Sequence, residues 1–176
     1  MEEEMERGVR LLGGFGSFLI VLSIVPYVGG LFALVGLILL SLAIKKFAEA
    51  EGRRELFSTF LKGILIYMVG SLVGLLLGLG GLSSAASGEG GLLAYFLTFV
   101  GFLVVYASGI VGTYFMKEVF REVALSTGNG LFDWGGKFLF WGALLTVILI
   151  GALITWVGWI LITVAFFTTE DNLMEH

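Results

Sequence analysis

The stretch Gly13–Ala43, GGFGSFLIVLSIVPYVGGLFALVGLILLSLA, returns 122 positions later as Gly135–Ala165, GGKFLFWGALLTVILIGALITWVGWILITVA. Aligned without a gap, twelve of the thirty-one pairs are identical, among them Gly13/Gly135, Phe18/Phe140, Gly29/Gly151, Gly36/Gly158 and Ala43/Ala165. A composition this apolar gives about four identities by chance, so the two stretches read as an internal repeat. Whatever folds one copy constrains the other.

The first copy sits in an apolar run, Val9 to Ile44, which as one helix would measure about 54 Å against a hydrocarbon core of roughly 30 Å. It has to fold back. Pro26-Tyr27-Val28-Gly29-Gly30 supplies the break, with a proline that cannot continue a helix and two residues free of a Cβ. Two spans follow, near 9–26 and 28–45. By the repeat, the last run, Phe138 to Thr169, is a hairpin as well, turning around Gly151-Ala152 with spans near 137–151 and 153–168. Its turn lacks the proline, since Ile148-Leu149-Ile150 stands where Pro26-Tyr27-Val28 stands in the first copy. Between the copies, 63–82 and 92–116 are each long enough to cross, joined by the small, flexible segment Ser83–Gly91.

The fold class expected is therefore all-α: a polytopic membrane protein of one domain, 1–176, with six transmembrane helices as three hairpins. Four spans separate the copies, so the first and third hairpins are parallel repeats about an axis along the membrane normal. At roughly 16 residues per arm these outer hairpins reach about 24 Å, so they are little tilted, thin the bilayer or stay partly re-entrant.

Charge agrees with this threading. Mean hydropathy is +1.03, with 58% hydrophobic and 14% charged residues, which matches a bilayer-embedded chain. Arg7 and Arg10 precede the first run. Lys45, Lys46, Arg53, Arg54 and Lys62 lie between the second and third spans, and Lys117, Arg121 and Lys137 between the fourth and fifth. All fall on one side, which the positive-inside rule makes cytoplasmic. Lys45, Lys46, Arg53, Arg54, Lys62, Lys117 and Arg121 are the topology determinants, and Glu49 and Arg53 are spaced as an i,i+4 pair. The opposite turns carry only Glu89. Both termini are expected inside the cell membrane of a prokaryote. The acidic start, Glu2 to Glu6, does not read as a cleavable signal peptide. No basic tract points to nucleic acid.

Chemistry is sparse. There is no cysteine, and His176 is the one histidine. Away from the span ends no Asp, Glu, Lys, Arg or His lies at depth, and such groups mark pumps, voltage sensors and membrane hydrolases. No catalytic, cofactor-binding or metal residue is expected, and no enzyme. Glutamine is absent and asparagine occurs only at 129 and 172, a depletion that fits a thermophile.

The glycines read as packing faces. Gly29, Gly36 and Ala43 recur every seven residues, as do Gly151, Gly158 and Ala165, while Gly70, Gly74 and Gly78 form a small-xxx-small ridge. The polar groups at depth are hydroxyls: Ser17, Ser23, Ser41, Tyr67, Ser71, Thr98, Tyr106, Ser108, Thr146, Thr155 and Thr163. Most should bond back to the carbonyl four residues earlier. The leading functional expectation is a non-enzymatic structural or interaction subunit, packing on a second copy or a membrane protein through its glycine faces. The alternative is a passive channel or carrier for a neutral or apolar solute.

At Leu12-Gly13-Gly14-Phe15-Gly16-Ser17, Pro26-Tyr27-Val28-Gly29-Gly30, Val35-Gly36-Leu37-Ile38-Leu39-Leu40 and Ala43-Ile44-Lys45-Lys46 the chain resembles an archaeal family of uncharacterised multi-pass membrane proteins. Gly128 and Gly158-Trp159-Ile160-Leu161 are similar to that family's last third. The resemblance implies a fold type and a prokaryotic membrane, and no site.

Overall fold

The computed structural model describes residues 2–88 and 91–169, with side chains from residue 7 onward. Glu89, the acidic tail after Thr169 and His176 lie outside these. Among the described residues all regular structure is helical: α1 (Glu2–Leu22), α2 (Gly29–Ala50), α3 (Arg54–Ala86), α4 (Gly91–Thr127), α5 (Gly130–Leu145) and α6 (Ile150–Thr168), with a 3-10 turn at Thr146–Ile148. Five of the six, α2 to α6, are long and apolar enough to cross a membrane, α5 together with its 3-10 turn. The first, α1, carries Arg7 and Arg10 in its N-terminal half.

Each helix packs antiparallel on the next, and α6 returns to α1, which closes a ring of six. Among the described residues the backbones of helices that are not ring neighbours stay more than 8 Å apart, Cα to Cα. Its centre is filled at one end only, where α1, α3 and α5 begin and α2, α4 and α6 finish. There Phe60, Phe120, Phe132 and Phe166 form a chain of ring contacts, with centroids 6.1, 6.4 and 4.8 Å apart. Leu40, Ile44, Leu139 and Ile162 are fully buried around them.

The turns differ from expectation in what each residue does. Tyr27 (φ 68°) and Leu149 (φ 60°) carry the left-handed backbone, and they stand 122 positions apart. Gly29 and Gly151 are wanted for space instead. A Cβ on Gly29 would run into the Ser23 carbonyl, and one on Gly151 into the Thr146 nitrogen and the Gly142 carbonyl. The last break therefore falls at Thr146–Leu149, ahead of Gly151-Ala152, because the glycine serves the close crossing of α6 over the end of α5. Residues 83–86, expected in a loop, continue α3. Arg53 does not pair with Glu49. Gly52 (φ +67°) ends α2 and turns the chain, so Arg53 reaches Glu122 at 2.7 Å while Glu49 faces Lys45 at 3.9 Å.

Candidate functional site

The expected glycine faces are occupied inside the chain. A Cβ on Gly36 would meet the Gly16 carbonyl at 2.6 Å, and one on Gly158 the Gly135 carbonyl at 3.0 Å, so backbones touch at both glycines, with the partner residue on α5 three positions earlier in the alignment than that on α1. Ala43 and Ala165 are fully buried. On α3, Gly70 lies against Ser108 and Gly74 against Gly101 and Val105. At Gly78 it is the backbone that meets α4: a Cβ on Gly101 would lie 2.5 Å from the Gly78 nitrogen, while nothing lies within 4 Å of Gly78's own Cβ position. The α3–α4 seam also runs through Gly63 on Gly112 and Gly81 on Ala94 and Thr98. Those two were legible as glycines seven residues from Gly70 and Gly74.

Next to the phenylalanine plug the ring encloses a cavity of about 340 Å³, lined from all six helices. Its floor is Ile20, Ile64, Met116 and Leu139, all buried. Six hydroxyl residues line it: Ser23, Tyr67, Tyr106, Thr113, Thr146 and Thr155. No Asp, Glu, Lys, Arg or His is among the lining residues. Two pairs of walls are equivalent by the 122-residue offset, Ala33 with Thr155 and Leu37 with Trp159.

Hydrogen bonding sorts the hydroxyls. Ser17, Ser41, Thr98, Thr146 and Thr163 donate to the carbonyl four residues earlier at 2.6–2.9 Å, and so does Thr113. Ser108 donates to Val105. Ser71 lies outside the cavity, its hydroxyl buried and unpartnered among the described residues. Ser23, Tyr67 and Thr155 donate to no described protein group and face the cavity. Of eleven candidate hydroxyls, the tertiary structure gathers five into one site, and it adds Thr113.

The side of the cavity away from the plug is bounded by the breaks after α1 and α5, at Ser23 and Thr146. A helix end leaves carbonyls without partners. Here Tyr106 donates to the Leu144 carbonyl at 2.7 Å, and the Trp156 indole donates to the Val21 carbonyl at 3.1 Å. The first bond also sets a level: α4 at Tyr106 is abreast of the end of α5. The fifteen residues Gly91–Val105 therefore rise about 22 Å past that end. Over this height α3 and α4 pack on one another and expose Leu72, Leu76, Leu79, Phe96, Phe99 and Phe102.

The opposite end of the ring holds the charges. Arg53 bonds Glu122, and that bond raises its guanidinium pKa further. Lys117 and Arg121 both reach Glu118, at 3.3 and 3.8 Å, and the Lys117 ammonium lies over the rings of Tyr114 and Phe140. Lys137 pairs with Asp133. Lys46, Arg54 and Lys62 are exposed at the same end. Asn129 ties this end together. Gly128 takes the left-handed turn (φ +66°), and the Asn129 Oδ1 then caps α5 by accepting from Leu131 N. Its Nδ2 donates across to the Ala165 carbonyl at 3.1 Å at the end of α6.

Known proteins give a family and no activity. The family described as a protein of unknown function (DUF996) matches residues 32–160. An uncharacterised protein of Methanocaldococcus jannaschii, MJ1644, is 32% identical over 170 residues, 95% of this chain and 94% of that protein. The chain belongs to the DUF996 family. The archaeal, uncharacterised family expected from the glycine and aliphatic motifs is thereby met, though its match starts at residue 32, past Pro26–Gly30. No solved structure matches the chain.

Proposed function

We propose that this DUF996 protein is an integral membrane protein that holds a small neutral amphiphile or apolar solute in the hydroxyl-lined cavity, without acting on it chemically. The observation that carries the reading is the cavity itself. At about 340 Å³ it falls within the range of small-molecule sites, apolar with a few convergent polar groups. Three of its hydroxyls have no partner among the described residues. With no acid, base or histidine in its walls, it offers hydrogen bonds to a neutral group and nothing to drive a reaction.

The topology proposed is three hairpins with both termini on the basic, cytoplasmic side, the outer two a parallel repeat. Supporting the repeat, equivalent positions carry the left-handed turn residue, the close-approach glycine and two cavity walls. Lys62 and Lys117 mark the inner boundary. From there α3 runs about 30 Å to Leu82, a full hydrocarbon thickness. Tyr106 is only eleven residues beyond Lys117, about 16 Å, so the outer hairpins end near the bilayer centre as re-entrant pairs. Their tips are apolar, with Tyr27 fully exposed and Leu149 82% exposed, which suits hydrocarbon and not water. In hydrocarbon every freed carbonyl needs a protein donor, the service that Tyr106 and Trp156 perform.

A packing subunit is the weaker reading, since all nine small residues assigned to it are engaged within the chain. The test uses the cysteine-free background. Thr113→Cys and Thr155→Cys, in the cavity, and Thr163→Cys, in the helix packing, are reacted with a maleimide in detergent, with and without 1-decanol. Reaction at the first two, saturably blocked by decanol, and silence at the third are expected. Equal silence at all three, or reaction that decanol leaves untouched, refutes the binding reading.

A further inference from the structure

We infer that the cavity is loaded sideways from the bilayer, through the gap between α2 and α3, by the hydrocarbon chain of a lipid-borne neutral amphiphile. This rests on the binding reading above and names its route and ligand class. On the outer face of the ring, α2 and α3 bound a second hollow of about 570 Å³. Three of its lining residues, Ala33, Leu37 and Ile64, also line the central cavity. The partition between hollow and cavity is thus one side chain thick. Its narrowest members are an alanine and two aliphatic residues that can change rotamer.

The junction is also the loosest in the ring. Among the described residues no hydrogen bond or ion pair joins α2 to α3. The corresponding junction on the other side, α4–α5, is held by Tyr106 on Leu144, by Lys117 over Phe140 and by Gly136 close against Lys117. So one seam is latched and the other is not. The hollow accepts hydrocarbon alone. Its one hydroxyl, Ser41, is turned onto its own Leu37 carbonyl at 2.6 Å, and the remaining lining residues, such as Leu34, Ile38, Leu42 and Met68, are apolar. A polar head has no partner there and finds one only past the partition, at Ser23, Tyr67 or Thr155. Chain in the hollow and hydroxyl in the cavity describes a long-chain alcohol or a neutral glyceride, and excludes a charged headgroup, for which the walls hold no counter-ion.

The probe is an eighteen-carbon alcohol with a nitroxide on its chain, and the reporter is Trp159 in the cavity wall. Trp134→Phe, Trp141→Phe and Trp156→Phe leave Trp159 as the one indole. Protein in lipid vesicles is mixed with probe-loaded vesicles, and quenching is followed in time. Saturable quenching is expected, slowed at least tenfold by Leu34→Phe with Ile38→Phe, which fill the hollow and do not line the cavity. Ala143→Phe, which intrudes on the cavity alone, should abolish the saturable part. Leu34→Cys with Met68→Cys, bridged by a cleavable thiol crosslinker, should close the gap and reopen on reduction with the parent rate restored. This pair reads the route even if the phenylalanines disturb folding. If the hollow-filled and bridged proteins load at the parent rate while Ala143→Phe does not load, the side entrance is overturned and the binding site stands. Absence of saturable quenching in the parent overturns both.

Discussion

Gly74→Ala and Gly78→Ala are the same chemical change one helical turn apart, and the structure gives them opposite signs. A Cβ on Gly74 would sit 2.6 Å from the Gly101 carbonyl oxygen, 2.6 Å from Val105 Cγ2 and 2.9 Å from the Val105 nitrogen. Two of these atoms are backbone, so no rotamer change relieves them. Reaching ordinary contact moves α4 off α3 locally by about 0.8 Å, and a gap of that size forfeits a quarter to a half of each pairwise attraction along the seam. Between helices in lipid such contacts are the main source of cohesion. The cost expected is about 1–3 kcal/mol. Nothing lies within 4 Å of a Cβ built on Gly78, so the alanine only removes backbone freedom and stabilises by about 0.5–1 kcal/mol. Thermal unfolding in one detergent should separate the variants by several degrees, at about 2–4 °C per kcal/mol for a chain of this size. Equal destabilisation by both would refute the reasoning. It would mean that the whole ridge Gly70, Gly74 and Gly78 faces a partner outside the chain.

Further outcomes follow from single contacts. Asn129→Ala removes the cap of α5 and the donor to the Ala165 carbonyl, and should cost about 1–2 kcal/mol by the same unfolding assay. Leu149→Gly relieves a left-handed backbone that costs a branched residue about 1 kcal/mol, and should raise the melting temperature slightly. Gly151→Ala, two residues on, should lower it by the equivalent of about 3 kcal/mol, because it meets backbone atoms of α5. Phe120→Ala empties the centre of the aromatic plug, fully buried among Phe60 and Phe132, and should cost about 3–5 kcal/mol in denaturant unfolding. A double-mutant cycle on Arg53 and Glu122 should give no more than about 1 kcal/mol, falling with added salt, since both side chains are about a third exposed.

The sequence by itself decided the all-helical class, the number of apolar segments and the place of the first break. These are local matters: hydropathy over a window, a proline, and a 122-residue self-match that carries the first break over to the last run. It also marked Gly36 and Gly158 as close-packing sites, because a glycine recurring at a heptad spacing means the same thing wherever the helix points. It gave Gly29 and Gly151 two roles, a turn and a packing face, and the coordinates keep the second. Space and backbone freedom both select glycine, and only coordinates tell them apart. Along α3 it named Gly70, Gly74 and Gly78 and passed over Gly63 and Gly81, which belong to the same seam. What the tertiary structure alone decided is the ring closure of α6 on α1, the aromatic plug built from Phe60, Phe120, Phe132 and Phe166, and the cavity beside it. Ser23, Tyr67, Thr113 and Thr155 sit on four different segments, and nothing along the chain says that they meet. Their convergence depends on how far each helix rises before it turns, and that is set by side-chain packing between distant segments, which no local pattern encodes.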